Sequence, residues 1–229
     1  MSDYVPKTEL LRSLGRLVRG LSALFWGLPI ALFVCVKIAT VEWTKPLFIF
    51  VPVGATALLF YGLALLSHFQ QQERVWRLAL DRAKLVAVVN IGLSPFCFWW
   101  GQLPSILFYN IAVGMLLVSG VLFIFNLNLV LQRLAAMLPD ETLRSETRIF
   151  GNLNRILLLL VLGGLAGYLV LLQITNLPDL LIRVMLAVTF AKPLVLGLFA
   201  VLILLPLAMT MTLIWKIKEA VFSSVFGAE

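Results

Sequence analysis

The sequence has few of the side chains that carry out acid–base or metal chemistry. Its 229 residues include 11 Asp and Glu, two Cys and one His, which is His68. One histidine cannot supply both axial ligands of a bis-histidine haem or the three protein ligands of a catalytic zinc. Membrane enzymes of most classes need clustered carboxylates, histidines or an activated serine. We therefore expect a protein that is not an enzyme and that binds no metal ion or cofactor.

Charged residues are also scarce, and this absence excludes an ordinary soluble domain. The chain is 13% charged and 62% hydrophobic, with a mean hydropathy of +1.04, whereas about a quarter of a soluble domain is charged. Five of its six long apolar stretches hold about 18 residues or more, enough to cross a hydrocarbon core of about 30 Å as helix. The six stretches are 21–39, 46–67, 85–100, 104–130, 156–173 and 193–215.

These stretches predict an all-α integral membrane protein of one domain, residues 1–229. Its six transmembrane helices would be arranged as three hairpins, with short amphipathic helices at the membrane surface. The longest segment between predicted spans is Leu131–Arg155, which is too short for a separate soluble domain. The outer segment 174–192 is predicted to be a short surface helix or, as the alternative, a re-entrant segment.

The distribution of Lys and Arg predicts the orientation in the membrane. Short cytoplasmic loops carry the excess of basic residues. If the six spans are correct, 14 of the 18 basic residues fall on one side of the membrane and four on the other. We therefore expect both termini in the cytoplasm, in a bacterial-type inner membrane. The net charge of +7 is explained by this topology, and nucleic acid is not an expected partner. The four outer basic residues are Lys37, Lys45, Arg183 and Lys192.

Two segments on the predicted inner side are amphipathic and basic. Residues 1–20 form a cytoplasmic N-terminal segment, and Glu9–Leu21 carries leucines at helical spacing with arginines on another face. Arg74–Lys84 repeats this pattern. Such a helix either lies on an anionic lipid surface or packs on its own bundle, and both interpretations are open. The predicted membrane-surface basic residues are Arg12, Arg16, Arg19, Arg74, Arg77 and Arg82.

Small and polar residues inside the spans are candidates for helix contacts. Gly163, Gly164 and Gly167 give the fifth span a small-residue face that permits close approach by another helix. If the third and fourth spans are neighbours, Asn90 could bond the region of Asn126. Such contacts either hold helices together or form a polar patch for a ligand headgroup. Pro29, Pro52, Pro95 and Pro206 lie inside spans, where each can kink its helix. The intramembrane polar candidates are Asn90, Asn110, Asn126 and Asn128.

The remaining candidates are two cysteines and the single histidine. Cys35 and Cys97 lie near the predicted outer ends of their spans, where they would be separate buried thiols or, as the alternative, a disulfide. His68 is expected to cap the inner end of the second span.

Function is predicted from this inventory by elimination. We expect a non-catalytic membrane subunit that anchors, scaffolds or regulates a complex. The alternatives are a small uncoupled transporter or channel and a lipid-handling protein. The expected partners are the lipid bilayer and other membrane subunits or a second copy of the chain.

Overall fold

The structure is a computed structural model that describes residues 7–40, 46–69, 73–103, 105–138, 141–171 and 192–226. Within these ranges the chain is helical and contains no strand. A single 3-10 turn, Pro46–Ile49, leads into the second helix. The helices are α1 Lys7–Thr40, α2 Phe50–Leu66, α3 Arg74–Leu93, α4 Phe96–Gln102, α5 Leu107–Met137, α6 Glu141–Leu171 and α7 Lys192–Phe226.

Five of the described helical segments are long and apolar enough to cross a membrane, as expected for a multi-pass membrane protein. They are Arg12–Thr40, Leu47–Leu66, Arg74–Gln102, Leu107–Met137 and Val201–Ser223. The span predicted over 156–173 lies on α6, which ends at Leu171, and it is not among the five. The sixth span therefore stays a prediction, and the predicted outer segment 174–192 lies outside the described residues apart from Lys192.

The structure does not confirm separate surface helices. The amphipathic segment Glu9–Leu21 is the first part of the uninterrupted α1, and Arg74–Lys84 is the first half of α3. Extending an existing helix adds one hydrogen bond for each residue fixed, whereas a new helix has to pay for a nucleus again. No proline separates the amphipathic segment from the apolar segment in α1 or in α3, so each helix runs through both segments.

Proline does interrupt the predicted third span, Leu85–Trp100. The structure divides this span into α3 and α4, with Ser94 and Pro95 in the turn between them. Proline has no N–H to continue the helical ladder and its ring clashes with the preceding turn. By contrast, Pro193 is the second residue of α7, in the first turn where proline is well tolerated.

Most buried side chains lie at the end of the bundle where α1 and α3 begin and where α2, α5 and α7 end. The indole of Trp76 is fully buried there, and its N–H donates to the carbonyl of Phe69 at 3.1 Å, which holds the connection between α2 and α3. A much smaller cluster lies at the opposite end, formed by Ile38, Cys97 and Phe98. The fully buried leucines of the large core include Leu17, Leu21, Leu24, Leu63, Leu66, Leu127, Leu131, Leu134 and Leu213.

Candidate functional site

Buried polar side chains meet at three helix contacts in the described part of the chain. Thr56 on α2 donates to Ser94 beyond the end of α3 at 3.4 Å. Ser119 on α5 donates to the side-chain carbonyl of Asn90 on α3. The third contact is larger and joins α5, α6 and α7. We call it the amide cluster, and it consists of Asn128, Asn154, Thr210 and the carbonyl of Pro206.

Thr210 is the centre of the amide cluster. Its hydroxyl oxygen accepts from Nδ2 of Asn128 at 3.0 Å and from Nδ2 of Asn154 at 2.9 Å. The same hydroxyl donates to the carbonyl of Pro206, one turn earlier in α7, at 2.8 Å. Asn154 also donates to that carbonyl at 3.2 Å. Thr210 and Asn154 are fully buried and Asn128 almost so, and the cluster thus joins three helices through one hydroxyl.

The amide cluster also presents hydrogen-bond acceptors that no described residue satisfies. The side-chain oxygens of Asn128 and Asn154 are buried without a hydrogen-bond partner in the described ranges. A buried carbonyl left unpaired costs about 1–3 kcal/mol. Both oxygens can accept from a hydroxyl, an ammonium group or water, or coordinate a cation.

The structure gives the other predicted asparagines separate partners. Asn90 bonds Ser119, two helical turns along α5 from the predicted region around Asn126. Asn126 instead donates to the carbonyl of Leu122 in its own helix at 2.8 Å. The side-chain oxygen of Asn110 accepts from the indole N–H of Trp100 at 2.5 Å. Of the four predicted asparagines, only Asn128 belongs to the amide cluster.

Sequence reasoning missed Asn154 and Thr210. Asn154 precedes the predicted fifth span by two residues and resembled part of a polar loop, and Thr210 was one hydroxyl in an apolar run. A signal for Thr210 is its spacing of four from Pro206, because a threonine hydroxyl commonly bonds the carbonyl four residues earlier in a helix. No local signal points to Asn154.

The predicted small-residue face of α6 packs against no described residue. A Cβ atom built on Gly163, Gly164 or Gly167 has nothing within 4 Å, and all three glycines are exposed.

Close approach of two helices occurs at other glycines. A Cβ atom on Gly20 would lie 2.9 Å from the carbonyl oxygen of Gly62, and one on Gly151 would overlap the side chain of Gln132.

The predicted basic residues remain at the surface. Arg12, Arg16 and Arg19, together with Gly15, line an open groove along the first turns of α1. Arg74, Arg77 and Arg82 are exposed on α3. A row of guanidinium groups suits phosphate or carboxylate groups, so this surface can contact anionic headgroups.

The single histidine, one interhelical ion pair and the two cysteines lie at separate places in the bundle. Nδ1 of His68 lies 3.1 Å from the carbonyl of Ala64 at the end of α2, which is the capping contact expected of it. Glu146 on α6 pairs with Lys216 on α7 at 2.5 Å. Cys35 and Cys97 are free thiols, and the partly buried Cys35 packs against the cluster in which Cys97 is buried.

No group of three or more His, Cys, Asp or Glu side chains that could hold a metal ion occurs in the described ranges. Comparisons with protein-family models, with curated proteins and with solved structures give no match to this chain.

Proposed function

We propose that this protein is a non-catalytic subunit of a membrane protein complex, which anchors or scaffolds a partner through its helix faces. The observation that carries the proposal is the open side of α6. In its second half Leu158 and Val161 are buried against the bundle, while Gly163, Gly164 and Gly167 are exposed with nothing near their Cα atoms. Among the described residues, no helix covers this glycine face.

A small-residue face favours a helix as its occupant. Lipid tails are as apolar as leucine, so helices do not associate in a membrane through the hydrophobic effect. Association depends on van der Waals contact and hydrogen bonds, and both improve when glycines let two backbones approach closely. The proposed partner is a transmembrane helix of a different subunit.

The proposed topology has six spans and both termini in the cytoplasm of a bacterial-type inner membrane. Contacts among the basic segments support it. Arg144 near the start of α6 donates to the carbonyl of Ala136 near the end of α5 at 2.8 Å. Lys216 near the end of α7 pairs with Glu146 on α6. The ends that carry the excess of positive charge are therefore neighbours, as a single cytoplasmic side requires.

The test compares two double variants of the full chain, purified in mild detergent from cells that carry the gene naturally. Gly163→Leu with Gly167→Leu fills the proposed contact face. Gly54→Leu with Gly92→Leu is the matched control, because both of these glycines are also exposed with nothing within 4 Å of a built Cβ. We expect a stoichiometric partner to co-purify with wild type and the control, and to be lost from the first variant at unchanged thermal stability.

Three outcomes contradict the proposal. They are the absence of a stoichiometric partner, a partner that is only a second copy of the chain, and equal partner recovery from both variants.

A second candidate function, uncoupled transport, is favoured by the amide cluster. Transporters use helices broken at Gly or Pro to line a polar site. The helix α7 continues through Pro206, and beside this proline two amide oxygens have no hydrogen-bond partner among the described residues. If this candidate is correct, the purified protein alone should move a solute across the membrane of liposomes. The substitution Thr210→Val should abolish this movement. The subunit proposal expects no movement in the same assay.

A further inference from the structure

We propose that Cys35 and Cys97 form a disulfide bond that ties the last turns of α1 to α4 on the outer side of the membrane. Cys35 packs against the small cluster that contains Cys97. The proposal rests on the proposed topology, which puts both residues near the outer surface, and it does not depend on the proposed partner.

The backbones around the two cysteines are close enough for the bond. A Cβ atom on Gly101 would lie 2.9 Å from the carbonyl oxygen of Ile38 and 3.4 Å from that of Ala39. Gly101 follows Cys97 by one helical turn, and Ala39 follows Cys35 by one turn, so each pair lies on one face of its helix. A disulfide needs Cα atoms about 4.4–6.8 Å apart, and backbone contact one helical turn away is compatible with this separation.

Packing fixes the two side chains in that position. Cys97 is buried with Ile38 and Phe98 in the small cluster, and Cys35 packs against this cluster from α1. Cys97 is 2% exposed, whereas Cys35 is partly exposed. Cys35 is therefore the sulfur that an external reagent can reach first, with Cys97 held behind it.

The bond forms by thiol–disulfide exchange with an external disulfide, such as a dithiol oxidase of the outer compartment in its disulfide form. The thiolate of Cys35 attacks one sulfur of that disulfide, and one thiol leaves. The thiolate of Cys97 then attacks the mixed disulfide at the sulfur of Cys35, and the second thiol leaves. Two protons and two electrons pass from the cysteine pair to the external disulfide, which is reduced to a dithiol.

The location of the pair explains what the bond would achieve. The large core lies at the opposite end of the bundle, and α4 has seven residues. A small apolar cluster and the close approach of Gly101 to Ile38 join α4 to α1, and apolar contact gives little net association against lipid. A covalent link would hold this end of the bundle together.

The test is made on the full chain in intact cells. Free thiols are blocked with N-ethylmaleimide in acid-quenched, denatured samples, which are then reduced and labelled with a maleimide–polyethylene glycol. We expect two polymer chains on wild type after reduction and none when reduction is omitted. Cys35→Ala and Cys97→Ala should each have one blocked thiol and take up no polymer. Two thiols blocked in wild type before reduction would overturn the proposal.

A cysteine at Gln102, in a background lacking Cys35 and Cys97, separates failure of the bond from failure of the topology. If Gln102→Cys reacts with an impermeant outside reagent while the wild-type thiols are free, only the disulfide proposal falls. If Gln102→Cys is shielded and the wild-type thiols are free, the proposed topology falls with it.

A stability measurement gives a second readout. Treating the purified, reduced protein with oxidised glutathione should raise its thermal midpoint in detergent by about 5 °C or more. The same treatment should leave the midpoint of Cys97→Ala unchanged. An equal shift in both proteins, or no shift in wild type with the bond formed, would contradict the proposed clamp.

Discussion

Gly20 on α1 and Gly62 on α2 bring the backbones of two membrane helices into direct contact. A Cβ atom on Gly20 would lie 2.9 Å from the carbonyl oxygen of Gly62, and one on Gly62 would lie 3.1 Å from that of Gly20. Both glycines are buried. Neither belongs to a small-xxx-small pair with another glycine in its own helix, and so the contact becomes visible only when the two helices are placed together.

Gly20→Ala should destabilise the protein. The added methyl group meets a backbone oxygen that cannot rotate away, and overpacking of this kind costs about 1–3 kcal/mol. The gain in helix propensity, at most about 1 kcal/mol, offsets part of this cost. The measurement is the thermal midpoint in detergent. Gly15→Ala is the control, since Gly15 is exposed on the same helix with nothing within 4 Å. Equal stability of the two variants would show that α1 and α2 do not cross here.

Thr210→Val should also destabilise the protein, by about 1–3 kcal/mol. Valine keeps the shape of threonine but removes the acceptor of the amide groups of Asn128 and Asn154, and each interhelical bond in a membrane contributes roughly 0.6–1.7 kcal/mol. Thr212→Val on the same helix is the control, because its exposed hydroxyl bonds only the carbonyl of Ala208 in α7. The control should change stability by less than about 0.5 kcal/mol. Similar losses in both variants would remove the amide cluster as a helix-joining element.

Single cysteines should report the proposed topology in intact cells when introduced into a chain lacking Cys35 and Cys97. Cysteine at Ser2, Ser145 or Gly227 should be shielded from an impermeant outside reagent, because these positions fall on the side with the excess of Lys and Arg. Cysteine at Gln102 or Asn176 should react. Labelling of Ser145→Cys in sealed cells would contradict both the six-span count and the orientation.

Hydropathy predicted the class of this protein because crossing a bilayer places a strong demand on composition. A helix has to remain apolar for about 20 residues, and that demand is visible in Pro46–Ser67 or Pro104–Val130 without any neighbour. The separate surface helix over Glu9–Leu21 was not confirmed, because a change in polarity along a helix does not end the helix.

Which face of each span contacts another helix was not readable from the sequence. In a soluble protein, the apolar face of a helix is the buried one. In a membrane the lipid-facing side is apolar too, so identical side chains occupy opposite environments. On α5, Phe123 is 2% exposed and Phe108 is 61% exposed, and nothing local to either residue distinguishes them.

Composition and charge alone therefore determined that this chain is a membrane protein of several helices, because lipid and the cytoplasmic charge bias act on each segment independently. The tertiary structure decided that Thr210 joins Asn128 to Asn154, that Gly20 meets Gly62 and that Gly101 meets Ile38. Each of these contacts joins residues on different helices that lie 42 or more positions apart in the sequence. Their positions depend on the packing of whole helices, which no local pattern of residues encodes.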